Sequence, residues 1–431
     1  MEKICVLGLG YVGLTLSVHA AKNGYEVHGV EILENTRSSI KSGRAPFHEP
    51  GIDKLLEKYL DEQLFVHEEV PSHIEFSVFI ISVGTPLVGQ GTTAPNMKIL
   101  EKCITDVAKA VNNETLIILR STVPVGTTRE VEKEILSKSQ MKSIKIAFCP
   151  ERTAEGNALA ELKELPQVIS GNSNLAIESS KEFFHPLVDE VVVASSVEEA
   201  EITKLFNNVY RDSTFALANT FSYIAQHFGI DGLKAIQNAN YHYPRSNIPI
   251  PGFVAGPCLE KDAYILTSNL EDGPLKGNIL TARKMNEQLE IDLANWIETF
   301  IEHRKIDNVL VSGLAFKGIP ETNDLRGSSS IKILKILEKF KDKIICHDFM
   351  NSSEELEKII DFQCLDPNFY FDYNIKSFDL IVILNNHKLY SSKEFNAFIV
   401  QQTKEGAELF DSWGALSIEK KFTLANYKVR S

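Results

Sequence analysis

Lys3-Ile4-Cys5-Val6-Leu7-Gly8-Leu9-Gly10-Tyr11-Val12-Gly13 (KICVLGLGYVG) decides the fold. A short apolar run, Lys3 to Gly8, breaks into three glycines spaced GxGxxG and then into a helical pattern that continues through Ala21. The order reads as strand, tight turn, helix. Gly8 allows the turn, Gly10 lets backbone approach a pyrophosphate, and Gly13 permits close helix packing. A lone GxGxxG is a weak signal, but here the next strand, Glu26 to Val30, ends at Glu31, about the expected distance on. A carboxylate there accepts from ribose hydroxyls and repels a 2′-phosphate, which favours NAD over NADP. An ordinary strand-end charge is the plainer alternative.

Working outward, Gly43 to Ile52 (GRAPFHEPGI) is a proline-punctuated loop leading into a helix, expected to lie over the first glycine turn. Strand Ser77 to Val83 runs into Gly84-Thr85-Pro86, and strand Thr115 to Arg120 into Ser121-Thr122-Val123-Pro124-Val125-Gly126-Thr127-Thr128. Both place hydroxyls and amides beyond strand carboxyl ends, where open parallel sheets bind ligands. Strand Lys145 to Phe148 leads into CPERTAEG, whose Glu151 and Glu155 are candidate acid/base groups or, equally, charges of a solvated loop.

From Val197 to Phe228 runs a helical pattern of about 30 residues, long enough to bridge two domains. Its apolar positions go nearly all the way round, predicting burial on several sides, including against a copy of itself. Lys204 and Asn208 share one face, and on an apolar helix such a pair needs partners or a ligand. Further on, Pro251-Gly252-Phe253-Val254-Ala255-Gly256-Pro257-Cys258-Leu259-Glu260-Lys261-Asp262 sets a cysteine at a helix start. Backbone amides and the helix dipole favour thiolate there, with Lys261 and Asp262 on the same face one turn on. The bland reading is a small buried cysteine at a helix entry. A second long helix is expected over Asn278 to His303. Then strands Val309 to Phe316, Ile344 to Asp348, Phe378 to Leu384 and Glu408 to Asp411, with a helix from Ser328 to Phe340, describe a second, smaller doubly wound domain. Lys317 to Arg326 (KGIPETNDLR) opens with a lysine and closes with an arginine, like an anion clamp at a strand end; two solvated charges are the alternative.

The 431 residues, 43% hydrophobic and 24% charged, allow two or three domains each with its own core. A formal net charge of −13 argues against nucleic acid or an anionic membrane as partner. The six cysteines show no CxxC pair and no His cluster, so neither a disulfide framework nor a metal site is suggested. With no apolar run of bilayer length and no cleavable signal, a reducing cytoplasm is the expected location.

The motifs GLGYVG, GRAPFHEPG, VGTP, STVPVGTT, CPERTAEG, the Lys204/Asn208 helix, GPCLEKD and AFK followed by DLRGSS stand in one order from residue 1 to about 413. This set resembles the UDP-sugar 6-dehydrogenases. Gly-Pro-Cys and Cys-Pro-Glu-Arg look like the branch acting on UDP-N-acetylhexosamines, gluco, manno or galacto, more than the UDP-glucose branch. The resemblance implies two Rossmann-like doubly wound domains joined by a long central helix: an NAD-binding domain over 1–195, a central dimerisation domain over 196–304 and a UDP-sugar-binding domain over 305–431.

It further implies a four-electron oxidation of the sugar C6 alcohol to a carboxylate, with two NAD reduced in turn. Cys258 would hold the intermediate covalently as thiohemiacetal and then thioester. Lys204 and Asn208 would stabilise the oxyanion, Asp262 would orient Lys204 or a water, and Glu151 with Thr122 would position the hydrolytic water, Glu151 as general base. Gly8, Gly10, Tyr11, Val12, Gly13, Glu31, Thr85, Thr122, Glu155 and Lys261 match cofactor positions. Glu151, Arg152, Lys204, Asn208, Arg245, Gly252, Phe253, Lys317 and Arg326 match substrate positions, Arg245 reaching the diphosphate from a neighbouring subunit of a homodimer. Two features depart from the family pattern: the Lys317 to Arg326 loop is longer, and Ala255 replaces a glycine, which would narrow the sugar pocket. Alternatives are a UDP-glucose 6-dehydrogenase, a two-electron hydroxyacid or sugar-phosphate dehydrogenase without a covalent step, and a catalytically silent NAD- or UDP-sugar-binding regulator. The two-electron reading leaves Cys258, Asp262 and the second domain unexplained, and the silent one conflicts with the presence of Lys204, Cys258 and Glu151.

Overall fold

The computed structural model describes residues 1–88, 94–371, 377–418 and 421–427. It divides into two compact units, residues 1–207 with 264–271 and residues 208–263 with 272–431.

The first unit is built on β1 (Lys3–Leu7), β2 (Glu26–Val30), β3 (Leu64–His67), β4 (Val78–Ile81), β5 (Leu116–Leu119) and β6 (Lys145–Phe148), in the order β3-β2-β1-β4-β5-β6. Every neighbouring pair is parallel. The order reverses between β1 and β4, opening a crevice beyond the strand carboxyl ends. Because helices cover both faces, β1 is apolar from Ile4 to Leu7: Ile4 and Val6 pack with Leu14, Val27 and Leu64, while Cys5 and Leu7 pack with Phe79, Ile104 and Ile117. A short parallel pair, β7 (Gln167–Ile169) and β8 (Val191–Val193), completes the unit.

The second unit repeats the plan with β9 (Val309–Ser312), β10 (Ile344–His347), β11 (Gln363–Leu365), β12 (Phe378–Ile383) and β13 (Thr403–Asp411) in the parallel order β11-β10-β9-β12-β13. Val309 and Val311 enter a core that also holds the inner face of the long helix Pro274–Arg304, and Leu310 enters the opposite one with Phe378 and Ile381. The architecture is two Rossmann-like domains joined by a long central helix.

Several boundaries differ from expectation. β9 stops at Ser312 instead of Phe316, because Gly313 takes φ +91° and turns the chain. The four short strands β3, β7, β8 and β11 were not expected, being three or four residues each. The second long helix begins a turn early, with Pro274 in its first turn. Within the single chain, Tyr210, Leu217, Phe221 and Ile224 of the bridging helix, Val197–His227, are exposed along one stripe, continued by Phe228 just beyond its end.

Candidate active site

In the first unit the glycine turn has the geometry a dinucleotide requires. Gly8 takes φ +90°, and a Cβ on Gly13 would lie 1.8 Å from the Gly8 carbonyl oxygen, whereas one on Gly10 would meet nothing within 4 Å. The helix that follows, Tyr11–Lys22, has no side-chain cap and no acid in its first turn, so its leading amides are available to an anion. Glu31, buried at the end of β2, accepts from the amides of Leu9 and Leu33, each at 3.0 Å. Beside it lies a cavity of about 1110 Å³ lined by Gly8, Gly10, Glu31, Leu33, Val83 and Gly84. Cradle, carboxylate and cavity fit NAD. Arg37, a buried cation that the sequence reading missed, donates to the Glu31 carbonyl at 2.8 Å and pairs with Glu34 and Glu68. With two acids on it, Arg37 is occupied rather than offered to a 2′-phosphate.

Tyr11 reaches from the glycine turn to Glu49 in the proline-punctuated loop, so that loop does lie over the turn. Gly156 donates to Tyr11 Oη at 2.7 Å and to Glu49 Oε2 at 2.9 Å, which fastens the loop carrying Glu155. Burial and the Glu49 carboxylate hold the Tyr11 phenol far above its ordinary range. Thr85 donates its hydroxyl to the Thr122 carbonyl, bringing those two strand-end loops together. The turn around Gly126–Thr128 is held by Glu201, whose carboxylate accepts from the amides of Gly126 (2.6 Å) and Thr128 (2.7 Å) and from the Thr128 hydroxyl.

Glu151 is buried, ion-paired to Arg120, and accepts from the amides of Arg152 (2.7 Å) and Thr153 (2.8 Å) on Oε1. Burial would raise its pKa, but the Arg120 guanidinium, the Thr153 amide and the Lys204 ammonium outweigh it and bring the carboxyl below the usual range. Lys204 is itself buried. Arg152 sends its guanidinium to the Pro166 carbonyl.

In the second unit, Cys258 caps the helix Leu259–Thr267: its carbonyl accepts from the amides of Lys261 (3.2 Å) and Asp262 (3.0 Å). Its side chain is exposed, whereas the other five cysteines are buried, and burial pushes Cys149 up to about 12 and Cys103 to about 11. Cys258 is thus the accessible thiol among the six cysteines. Asp262, buried, accepts from Asn208 Nδ2 at 2.6 Å and from Lys261 Nζ at 3.1 Å. Behind the cysteine loop, Arg283 is fully buried and donates to Asp212 (2.8 Å) and to the carbonyls of Leu259 (3.2 Å) and Val254 (3.3 Å). Asn219 bonds the Gly252 amide and carbonyl at 2.9 and 3.0 Å.

Of the remaining candidates, Gly252 lies against Trp413, where a Cβ would come within 2.2 Å of the ring. Phe253 sends its ring into the core beside Leu289 and Leu293. Lys317 lies 5.3 Å over the Phe316 ring. Arg326 forks onto Asp324 at 2.6 to 3.0 Å, so the loop's arginine is turned to its own neighbour. Arg245 is exposed and rests 4.6 Å over the Tyr243 ring.

Three domain models match the chain in order: the NAD binding domain of the UDP-glucose/GDP-mannose dehydrogenase family over residues 2–188, its central domain over 198–288 and its UDP binding domain over 310–417. The chain belongs to this family. A UDP-N-acetyl-D-mannosamine dehydrogenase of Pyrococcus horikoshii is 33% identical over 370 residues, 83% of this chain and 87% of that protein. Another, from Campylobacter jejuni, is 32% identical over 345 residues, 77% of this chain and 83% of that one. A solved structure of UDP-D-ManNAc dehydrogenase from Pyrococcus horikoshii superposes with a TM-score of 0.84 at 29% identity, covering 98% of this chain and 99% of that one. The chain is therefore an NAD-dependent nucleotide-sugar dehydrogenase, an oxidoreductase, with a UDP-sugar as its substrate class. Among the described residues no helix is long and apolar enough to cross a membrane.

Proposed function

We propose that the enzyme oxidises C6 of UDP-N-acetyl-D-mannosamine from alcohol to carboxylate through a thioester on Cys258. The observation that carries this reading is the exposed thiol at the cap of helix Leu259–Thr267, with the Asn208–Asp262–Lys261 set one turn on. The names borne by the relatives support the sugar. The C6 alcohol loses a hydride and a proton to give the aldehyde, and the Cys258 thiol adds to it as a thiohemiacetal. Loss of a second hydride and proton leaves the thioester, and water cleaves this to carboxylate, thiol and one proton. The glycine turn and Glu31 would hold NAD, which would supply the hydride acceptor, one molecule for each of the two oxidations in turn.

Lys204 and Asn208 would donate to the alkoxide and later the oxyanion, with Asp262 fixing the amide of Asn208. Glu151 and Thr122 would place the hydrolytic water, and Thr85, Glu155 and Lys261 would serve the cofactor. Arg152, Gly252, Lys317 and Arg326 would serve the nucleotide sugar, and Phe253 would contribute backbone only. The domain division is residues 1–195, 196–304 and 305–431, and the setting is the cytoplasm, which keeps the thiol reduced. The stripe from Tyr210 to Phe228 would bury against a second copy, making a homodimer in which Arg245 reaches the neighbouring diphosphate site.

NADH formed per sugar, with UDP-ManNAc, UDP-GlcNAc, UDP-GalNAc and UDP-glucose in parallel and with Cys258→Ser beside the wild type, tests the reading. Two NADH per UDP-ManNAc and a serine variant stalled before hydrolysis are expected. One NADH per sugar, or an unaffected serine variant, would overturn the covalent route, and preference for another sugar would overturn the substrate assignment.

A further inference from the structure

Arg120 is the least expected residue of the first unit. It follows four buried apolar residues of β5 and is itself 2% exposed, an environment in which a guanidinium needs partners. Its Nη1 donates to the Cys149 carbonyl at 3.0 Å and to Gln167 Oε1 at 2.9 Å, and its Nη2 to Glu151 Oε2. Gln167 in turn donates to the Pro150 carbonyl at 3.1 Å. Together these bonds hold each residue of the turn Cys149-Pro150-Glu151, and the Phe184 ring lies 5.6 Å from the guanidinium carbon.

A carboxylate offers about four acceptor positions. On Glu151, Oε1 receives two backbone amides and Oε2 receives Arg120, which leaves one position on Oε2. We propose that Arg120 is a positioning residue for the hydrolytic half of the reaction, aiming that one open position of Glu151 at the attacking water. The charged groups facing Glu151 are Arg120 from the end of β5 and Lys204 from the bridging helix, both cations, while the Arg152 guanidinium is turned away to Pro166. Glu151, its carboxyl held below the usual carboxylate range by Arg120 and Lys204, then meets the water as the carboxylate.

The inference rests on the thioester reading above, and its test separates the two. With UDP-ManNAc and NAD in single turnover, Arg120→Met is expected to form its two NADH per site at a rate near wild type, then to release product about tenfold or more slowly. Acyl-enzyme would accumulate, visible by mass spectrometry as an adduct on Cys258. The acid limb of the hydrolysis step should move to higher pH in Arg120→Met and return towards wild type in Arg120→Lys, which keeps the charge but not the fork. A purely structural arginine would slow every step alike with the acid limb unmoved, and that result overturns the proposal. Should Arg120→Met not fold, the wild type decides alone: its acyl-enzyme hydrolysis should show no acid limb above the ordinary carboxylate range, and a limb between that range and neutrality overturns the proposal. If wild type forms no acyl-enzyme at all, the thioester reading has failed instead.

Discussion

In each of the two larger parallel sheets the second strand along the chain is followed by a buried acid, and the two acids do different work. Glu31, after β2, accepts from Leu9 and Leu33, which leaves about two of its four acceptor positions open beside the dinucleotide cavity. Asp348, after β10, accepts from the amides of Leu314 (2.8 Å), Ala315 (2.9 Å) and Met350 (2.8 Å) and from Asn351 Nδ2 (3.1 Å), which fills all four. The helices behind the two turns differ in the same sense. The first starts uncapped at Tyr11, while the second starts at Ser329 behind Ser328, which accepts from the Ser330 amide at 3.2 Å and donates to the Leu314 carbonyl at 2.6 Å. One scaffold thus keeps its polar groups open for a ligand in the first domain and satisfies them internally in the second.

The largest effect expected on this contrast comes from Gly13. A Cβ there must displace the Gly8 carbonyl, so Gly13→Ala should weaken NAD binding by at least about a hundredfold, the equivalent of roughly 3 kcal/mol, as read by calorimetric titration. Gly10 separates ligand from fold. Its Cβ would meet no protein atom, so Gly10→Ser should keep the wild-type melting temperature yet lose about tenfold in NAD affinity. Equal NAD affinity in Gly10→Ser would break the claim that this turn is open for the dinucleotide.

Next in size is exchange of the two acids' roles. Asp348→Ala strands buried donors, each costing about 1–3 kcal/mol, so chemical denaturation should show a loss of several kcal/mol, while the KM for NAD stays unchanged wherever the protein is folded. Glu31→Gln should do the reverse, raising the KM for NAD about tenfold at small cost in stability. A stability loss in Glu31→Gln as large as in Asp348→Ala would make the first acid as structural as the second.

How much of this was legible follows from the range of each interaction. The glycine turn and Glu31 lie within one strand-turn-helix-strand unit, so spacing alone exposed them, and β2 and β6 were bounded to the residue because apolar runs there end in turn residues. β9 was overrun because Gly313 hides inside VLVSGLAF, where only its φ of +91° reveals the turn. Arg120 and Glu49 had no local signal of function: their partners stand 31 and 107 residues away, at Glu151 and Gly156. An arginine directly after Leu116-Ile117-Ile118-Leu119 was the available hint, since a buried strand end seldom carries a charge without a partner. The exposed stripe of the bridging helix was legible as apolar but not as uncovered, because periodicity gives the face and not what lies against it.

Acid should sharpen the comparison further. His347, fully buried at the end of β10, shares a 2.7 Å hydrogen bond with Ser312 Oγ, and burial lowers it from 6.5 to about 3. The unfolded chain takes up this proton below 6.5 and the folded chain does not. Stability from His347 is therefore whole above 6.5 and is lost as pH falls towards 3, about 2 kcal/mol of it by pH 5. Hydrogen exchange at pH 5 should show β9 and β10 losing protection, with the loss diminished in His347→Gln.

The smallest effect is the most discriminating. Ser328→Ala removes the cap of the second domain's helix and should cost about 1 kcal/mol, the usual value of such a cap, with no change in KM for NAD. The cost should appear only in the second domain's unfolding, because the groups released are the Ser330 amide and the Leu314 carbonyl, both within that domain. Were the KM for the UDP-sugar also to rise, the amides behind Ser328 would be contacting ligand as those behind Gly10 are argued to do, and the two domains would bind by the same device after all.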